Sequence, residues 1–217
     1  MSHPVWKQVD EYLSEIYLGP DPALSKALAR SEAAGLPPIN VTAHQGRLLH
    51  LMARMIGAKR ILEIGTLGGY STIPLARALP ADGKLVTLEF EEKHAEVARA
   101  NLDAAGVGDL VQIIVGPAIQ ALPMLNGPFE FVFIDADKAS TADYFTQAMR
   151  LTRPGSVIIV DNVVRDGEII NPNSPDDGVA GVRRFHDLVK GDTRVTATAL
   201  QTVGGKGYDG FAVLLVN

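Results

Sequence analysis

The stretch Glu63-Ile64-Gly65-Thr66-Leu67-Gly68-Gly69-Tyr70-Ser71 decides how this chain is read. It follows Arg60-Ile61-Leu62, an apolar run of strand type, and leads into a helical pattern. The next apolar strand, Leu85-Val86-Thr87-Leu88, ends in a second acid, Glu89. Strand, glycine turn, helix, strand and acid, in that order, are how a parallel α/β sheet holds a nucleoside. Two further apolar strands end in acids, at Asp135 and at Asp161-Asn162.

Outward from that stretch, apolar strands and helical patterns alternate. Strands are expected near 60–64, 84–89, 110–115, 129–134, 155–160, 193–200 and 209–216, and helices near 69–79, 91–105, 117–124, 138–152 and 176–190. The first five strands are short, apolar and separated by helices, so they should be parallel and covered on both faces. No helical pattern separates the last two, and their glycine-rich connection Thr202 to Tyr208 predicts an antiparallel hairpin. Before the sheet, Val5 to Tyr17 has helical spacing. Asp21-Pro22 reads as a cap and first helical residue, the helix running to about Ala34 with Gly35 ending it. Thr42 and Gln45 fit a capping box for a third helix that ends before Gly57. The long polar loop Arg165 to Gly178 has the character of a lid or substrate wall.

Composition narrows the function classes. With 217 residues, 47% apolar, the chain supports one well-buried core. Its 20 basic and 25 acidic residues leave a net charge of -5, which disfavours nucleic acid as the main partner. Without cysteine, thiolate metal sites and disulfides are excluded. No apolar stretch has membrane-span or signal-peptide length, so a cytoplasmic protein is expected.

The glycine turn argues against a dinucleotide. The dinucleotide fingerprint needs glycine at its third position, where backbone approaches a pyrophosphate, and this chain has Leu67 there. Glu63 would repel phosphate and attract a cation. Ser71, at a helix start, is placed to hold a carboxylate. Glu89 suits a ribose diol. Carboxylate, ammonium, ribose and no phosphate describe S-adenosylmethionine better than NAD. The plainer reading makes Ser71 and Glu89 simple helix caps.

The runs Phe131 to Lys138 and Val157 to Asn162 form a second constellation. As consecutive parallel strands they would bring Asp135, Asp161 and the Asn162 amide oxygen together. Three hard oxygen ligands suit magnesium, with calcium or manganese also fitting, and the absence of histidine and cysteine leaves zinc poorly supported. Asp137 reads as a cap. Lys138 opens a helix, where the dipole gives a lysine no benefit. Beside a divalent cation its ammonium is disfavoured, which makes it a usable general base.

The segments LEIGTLGGYS at 62–71, FIDADK at 133–138 and DNVVRDGEI at 161–169 resemble the cation-dependent O-methyltransferases of the catechol and caffeoyl-CoA type, over roughly residues 39–217. The resemblance implies a Rossmann-like seven-stranded sheet, mostly parallel with a reversed last strand, in a single methyltransferase domain. Residues 1–38 would be an N-terminal helical extension and 39–217 the S-adenosylmethionine-binding core. It implies that Ile39-Asn40-Val41, Glu63, Gly65, Thr66, Ser71, Glu89 and Gly116-Pro117-Ala118 contact S-adenosylmethionine. Asp135, Asp161 and Asn162 would bind the cation, Asp135 also serving the cofactor pocket, and Lys138 would act as base. A small phenolic acceptor bearing vicinal hydroxyls and a homodimer are implied too. The chain departs from the family pattern at Ser140, Thr141 and Pro117. His44, His50, His94 and His186 match no family motif and read as surface or core residues. A nicotinamide-dependent oxidoreductase, a non-catalytic binding protein and a methyltransferase for a non-catechol acceptor are the competing readings. Leu67 opposes the first, and the intact Asp135, Lys138, Asp161 and Asn162 oppose the second.

Overall fold

A computed structural model describes residues 4–217, which fall into two compact units. One comprises residues 14–125. The other comprises residues 126–217 with the N-terminal segment up to Leu13. The first helix, α1, spans Pro4–Tyr17 and presents Val5, Val9, Tyr12 and Ile16 to solvent.

In the first unit, local signals fix the helix ends. Asp21 caps α2 (Pro22–Ala33) by accepting from the backbone N–H groups of Ala23 and Leu24. Both halves of the capping box form at the start of α3 (Ala43–Met55), where the Thr42 hydroxyl oxygen accepts from Gln45 N and the Gln45 amide oxygen accepts from Thr42 N. Strands β1 (Arg60–Ile64), β2 (Lys84–Glu89) and β3 (Val111–Val115) run parallel in the order β3-β2-β1, with Ile64 opposite Leu88 and Leu88 opposite Ile114. Helices α4 (Thr72–Ala78) and α5 (Glu92–Ala104) make the crossovers, and the short α6 (Ala118–Ala121) follows β3.

In the second unit, β4 (Phe131–Ile134) and β5 (Val157–Asp161) are parallel and joined through α7 (Thr141–Leu151). After α8 (Asp177–Val189) come β6 (Val195–Gly204) and β7 (Gly207–Val216). The final strand is antiparallel to both its neighbours, giving the order β4-β5-β7-β6. All four residues of β4 and all five of β5 are buried, as strands covered on both faces require. Phe145 of α7 and Phe185 of α8 meet edge to face with ring centroids 5.3 Å apart.

The strand number and directions are those expected, with two differences in detail. The terminal hairpin is longer than its sequence suggests. Pairing continues to Gly204 opposite Gly207, so most of the glycine-rich connection is strand and only Gly205-Lys206 turn. Glycine weakens a strand but does not prevent ladder pairing, and the positive φ falls on Gly207, the first strand residue after the Gly205-Lys206 turn. The loop after β5 also contains 3-10 structure over Arg165–Ile170, interrupted at Asp166 and Gly167 by positive φ.

Phe185 is 1% exposed. Truncating it should remove both burial and the edge contact, so Phe185→Ala is expected to cost about 3–5 kcal/mol in urea denaturation.

Candidate functional site

In the first unit, the site grows from the carboxyl ends of β1 and β2. The turn after β1 starts at Gly65, whose N–H donates to Leu88 O at 3.0 Å. It passes through left-handed backbone at Gly65, Leu67 and Gly69. Leu67, the residue that replaces the fingerprint glycine, adopts this conformation at φ 49 despite its side chain. Gly69 lies close against α5, where an added Cβ would meet Ala98 Cβ at 3.4 Å. Asn101, buried on α5, ties the turn down by donating to Gly68 O at 2.8 Å and Ala27 O at 3.3 Å.

Two acids organise this turn. Glu63 is fully buried and accepts three hydroxyls: Ser71 at 2.6 Å, Thr72 at 2.5 Å and Thr87 at 2.8 Å. Burial of a carboxylate demands such partners. Ser71 therefore gives its hydroxyl to Glu63 and makes no side-chain cap on α4. Glu89 holds the turn from the next strand. Its Oε2 accepts from Thr66 N at 3.2 Å and Leu67 N at 2.7 Å, while Oε1 accepts from Glu91 N at 3.0 Å. His94 Nδ1 lies 3.3 Å from the same Oε1. Glu89 therefore holds Glu91, the residue before α5, without capping the helix itself, and it binds the turn at the place where a ribose diol is expected. The Thr66 and Thr87 hydroxyls bond to each other at 2.6 Å. Val41 is buried in the same unit. Gly116, whose N–H donates to Glu89 O at 2.8 Å, leads through Pro117 to Ala118 at the start of α6.

The second unit brings together the other predicted residues. Because Ile134 pairs with Val160, Asp135 and Asp161 leave adjacent parallel strands at the same level. Asp161 is 5% exposed and accepts from Asn162 N at 2.8 Å. Burial, then the charge of Asp135, pushes the Asp161 carboxyl up to about 7 against the opposing pull of Lys138 and the Asn162 N–H, with Asp209 adding to the rise. Lys138 Nζ donates to Asp135 Oδ1 at 2.5 Å, with both side chains largely buried. Asp137 is the cap anticipated, its Oδ1 accepting from Ser140 N at 3.0 Å and its Oδ2 from the Tyr144 hydroxyl. Burial and the Asp137 charge push the Tyr144 phenol up, so it stays protonated.

No cluster of three or more His, Cys, Asp or Glu side chains disposed for a metal occurs among the described residues. A cation here would rest on two carboxylates and the Asn162 amide. The donor chemistry fits a hard divalent ion, because two mutually repelling carboxylates, one deeply buried, gain most from a compact positive charge. Downstream, residues of the 165–178 loop and α8 line a pocket of about 200 Å³ that includes Asn171, Ser174, Arg183 and Arg184.

Three neighbours escaped the sequence reading. His94 reaches Glu89, and only the helical offset from the strand end hinted at it. Asp209 anchors the turn after β5 from the far end of the chain. Lys206, also unmarked in the sequence, has an ammonium within electrostatic reach of Asp135 and Asp161.

The sequence profile of the O-methyltransferase family matches residues 21–210, and the chain belongs to that family. A catechol O-methyltransferase of Mycobacterium tuberculosis is 54% identical over 96% of this chain and 94% of its own. The O-methyltransferase TomG of Streptomyces achromogenes, involved in tomaymycin synthesis and solved with S-adenosylmethionine, superposes with a TM-score of 0.96 at 52% identity, covering 100% of this chain and 99% of that one. An O-methyltransferase of Bacillus cereus, solved with S-adenosylhomocysteine, gives a TM-score of 0.96 at 49% identity, covering 98% and 99%. The protein is an S-adenosylmethionine-dependent O-methyltransferase with a Rossmann-like fold. No described helix is long and apolar enough to cross a membrane.

Two outcomes follow from this geometry. Thr87→Val leaves the buried Glu63 short of a donor and should cost about 1–3 kcal/mol in chemical denaturation. Asp161 binds its proton more tightly folded than unfolded. The cation-free protein should therefore lose stability as pH rises from 3.8 toward about 7, and melting curves in excess chelator across that range would show it.

Proposed function

We propose that this enzyme transfers a methyl group from S-adenosylmethionine to one hydroxyl of a vicinal dihydroxyphenyl compound, with the help of a divalent cation. The observation that carries the proposal is the pairing of Asp135 and Asp161 on adjacent strand ends, with Lys138 on Asp135. A catechol O-methyltransferase at 54% identity supports the acceptor class.

In this reading, Val41, Glu63, Gly65, Thr66, Ser71, Glu89 and Ala118 shape the donor pocket. Glu63 acts through the hydroxyls it gathers, holding the glycine turn rigid. Glu89 fixes the Thr66 and Leu67 amides while keeping lone pairs for a ribose hydroxyl. Asp135, Asp161 and Asn162 hold the cation, magnesium in the first place and calcium or manganese as alternatives. When bound, it supplies Lewis acidity toward the acceptor hydroxyls. Lys138 takes the proton from the hydroxyl that is to be methylated. The carbon–oxygen bond then forms as the carbon–sulfur bond breaks, and the sulfonium charge is cancelled as the neutral thioether leaves. The protein contributes mainly by positioning and by keeping water out. The pocket beside the 165–178 loop, with Arg183 and Arg184 in its lining, supports reading that loop as a wall of the acceptor site. The whole chain acts as one methyltransferase domain, and a cytoplasmic homodimer is proposed by analogy with the family.

Asp161→Ala should abolish turnover while S-adenosylhomocysteine still binds, as calorimetry would register. Full turnover in that variant would remove the cation from the account. Lys138→Ala should lower kcat by about 10²–10⁴-fold with a much smaller change in donor affinity, and an unchanged kcat would exclude it as the base.

A further inference from the structure

After β5 the backbone enters left-handed conformation at Asn162 (φ 58), Arg165 (φ 55) and Asp166 (φ 54), none of them glycine. Such a turn persists only where its surroundings over-determine it. The restraint comes from β7. The ladder pairs Asp161 with Phe211, and Val163 N donates to Gly210 O at 3.0 Å just beyond it. One residue further on, a single carboxylate oxygen of Asp209 accepts from Val164 N at 3.0 Å, Arg165 N at 3.0 Å and Gly210 N at 2.9 Å. Gly210 permits the close approach, since an added Cβ would sit 2.6 Å from Val164 Cγ2.

We propose that Asp209 is a positioning residue, whose carboxylate fixes the turn that presents Asp161 and Asn162 to the cation. This rests on the cation reading above. The Oδ1 of Asp209 is committed to three backbone N–H groups, so the part assigned to it is to hold the turn. Its nearness to Asp161 raises a rival role, in which it contributes negative charge alone. Asparagine separates the two, since it keeps an acceptor oxygen and removes the charge.

Wild type, Asp209→Ala and Asp209→Asn are compared by manganese titration followed by electron paramagnetic resonance. Amide hydrogen exchange at Val164 and Arg165 is measured on the same proteins without cation. Asp209→Ala should lose manganese affinity by about 10–100-fold, exchange faster at both amides and keep its affinity for S-adenosylhomocysteine. Asp209→Asn should stay near wild type in all three. Equal loss of manganese by both variants, or unchanged exchange in Asp209→Ala, overturns the proposal. If Asp209→Ala does not fold, Asp209→Asn decides: retained manganese affinity supports the proposal and lost affinity overturns it. Wild-type protein that takes up no manganese refutes the cation reading instead, and the exchange rates then judge Asp209 by themselves.

Discussion

Two carboxylates at the ends of neighbouring parallel strands repel each other, and the repulsion grows as water is removed. Asp135 and Asp161 stand in that relation because Ile134 and Val160 are in register. The pair is tolerable only with positive charge nearby. Lys138 supplies some of it through Asp135, and Lys206 lies within electrostatic range. Asp161 answers the remaining strain by holding its proton toward neutral pH. Under the reading proposed above, this pair of carboxylates is what would hold a cation. The bond to Asp135 also fixes the Lys138 amino nitrogen at these strand ends.

The glycine turn after β1 is governed by a different rule, that a buried carboxylate needs hydrogen-bond donors. Glu63 meets it with hydroxyls from Ser71, Thr72 and Thr87, while Glu89 meets it with backbone amides of the turn and of Glu91. Both acids thereby pin a turn whose left-handed residues would otherwise be costly. The turn is stiff before any ligand arrives, and pre-organisation of that kind spares binding energy for the reaction.

How much of this was legible in sequence follows from how local each signal is. Apolar runs ending in acids marked β1, β2, β4 and β5 because burial on both faces leaves its trace in every residue. Thr42 with Gln45, and Asp21 before Pro22, marked helix starts because a cap is complete within a few residues. The terminal hairpin was read too short because glycines were taken as turn, whereas pairing through Gly204 and Gly207 depends on a partner strand. The sequence offers Ser71 as a holder of a ligand carboxylate or as a helix cap, and its bond to Glu63 is hidden there because it arises only once the chain has turned back on β1. Asp209 carried no mark at all. Its partners lie 45 and 44 residues away, and left-handed backbone at Asn162, Arg165 and Asp166 leaves no glycine to announce it.

The central claim is that methyl transfer to a vicinal diol depends on a cation held at Asp135, Asp161 and Asn162. The most direct measurement is transfer of labelled methyl from S-adenosylmethionine to catechol, caffeate and matched monophenols, with magnesium and with excess chelator. The account predicts labelling of the diols in magnesium, none in chelator and little of the monophenols under either condition. Equal labelling of the diols in chelator, or equal labelling of monophenols and diols, would contradict it.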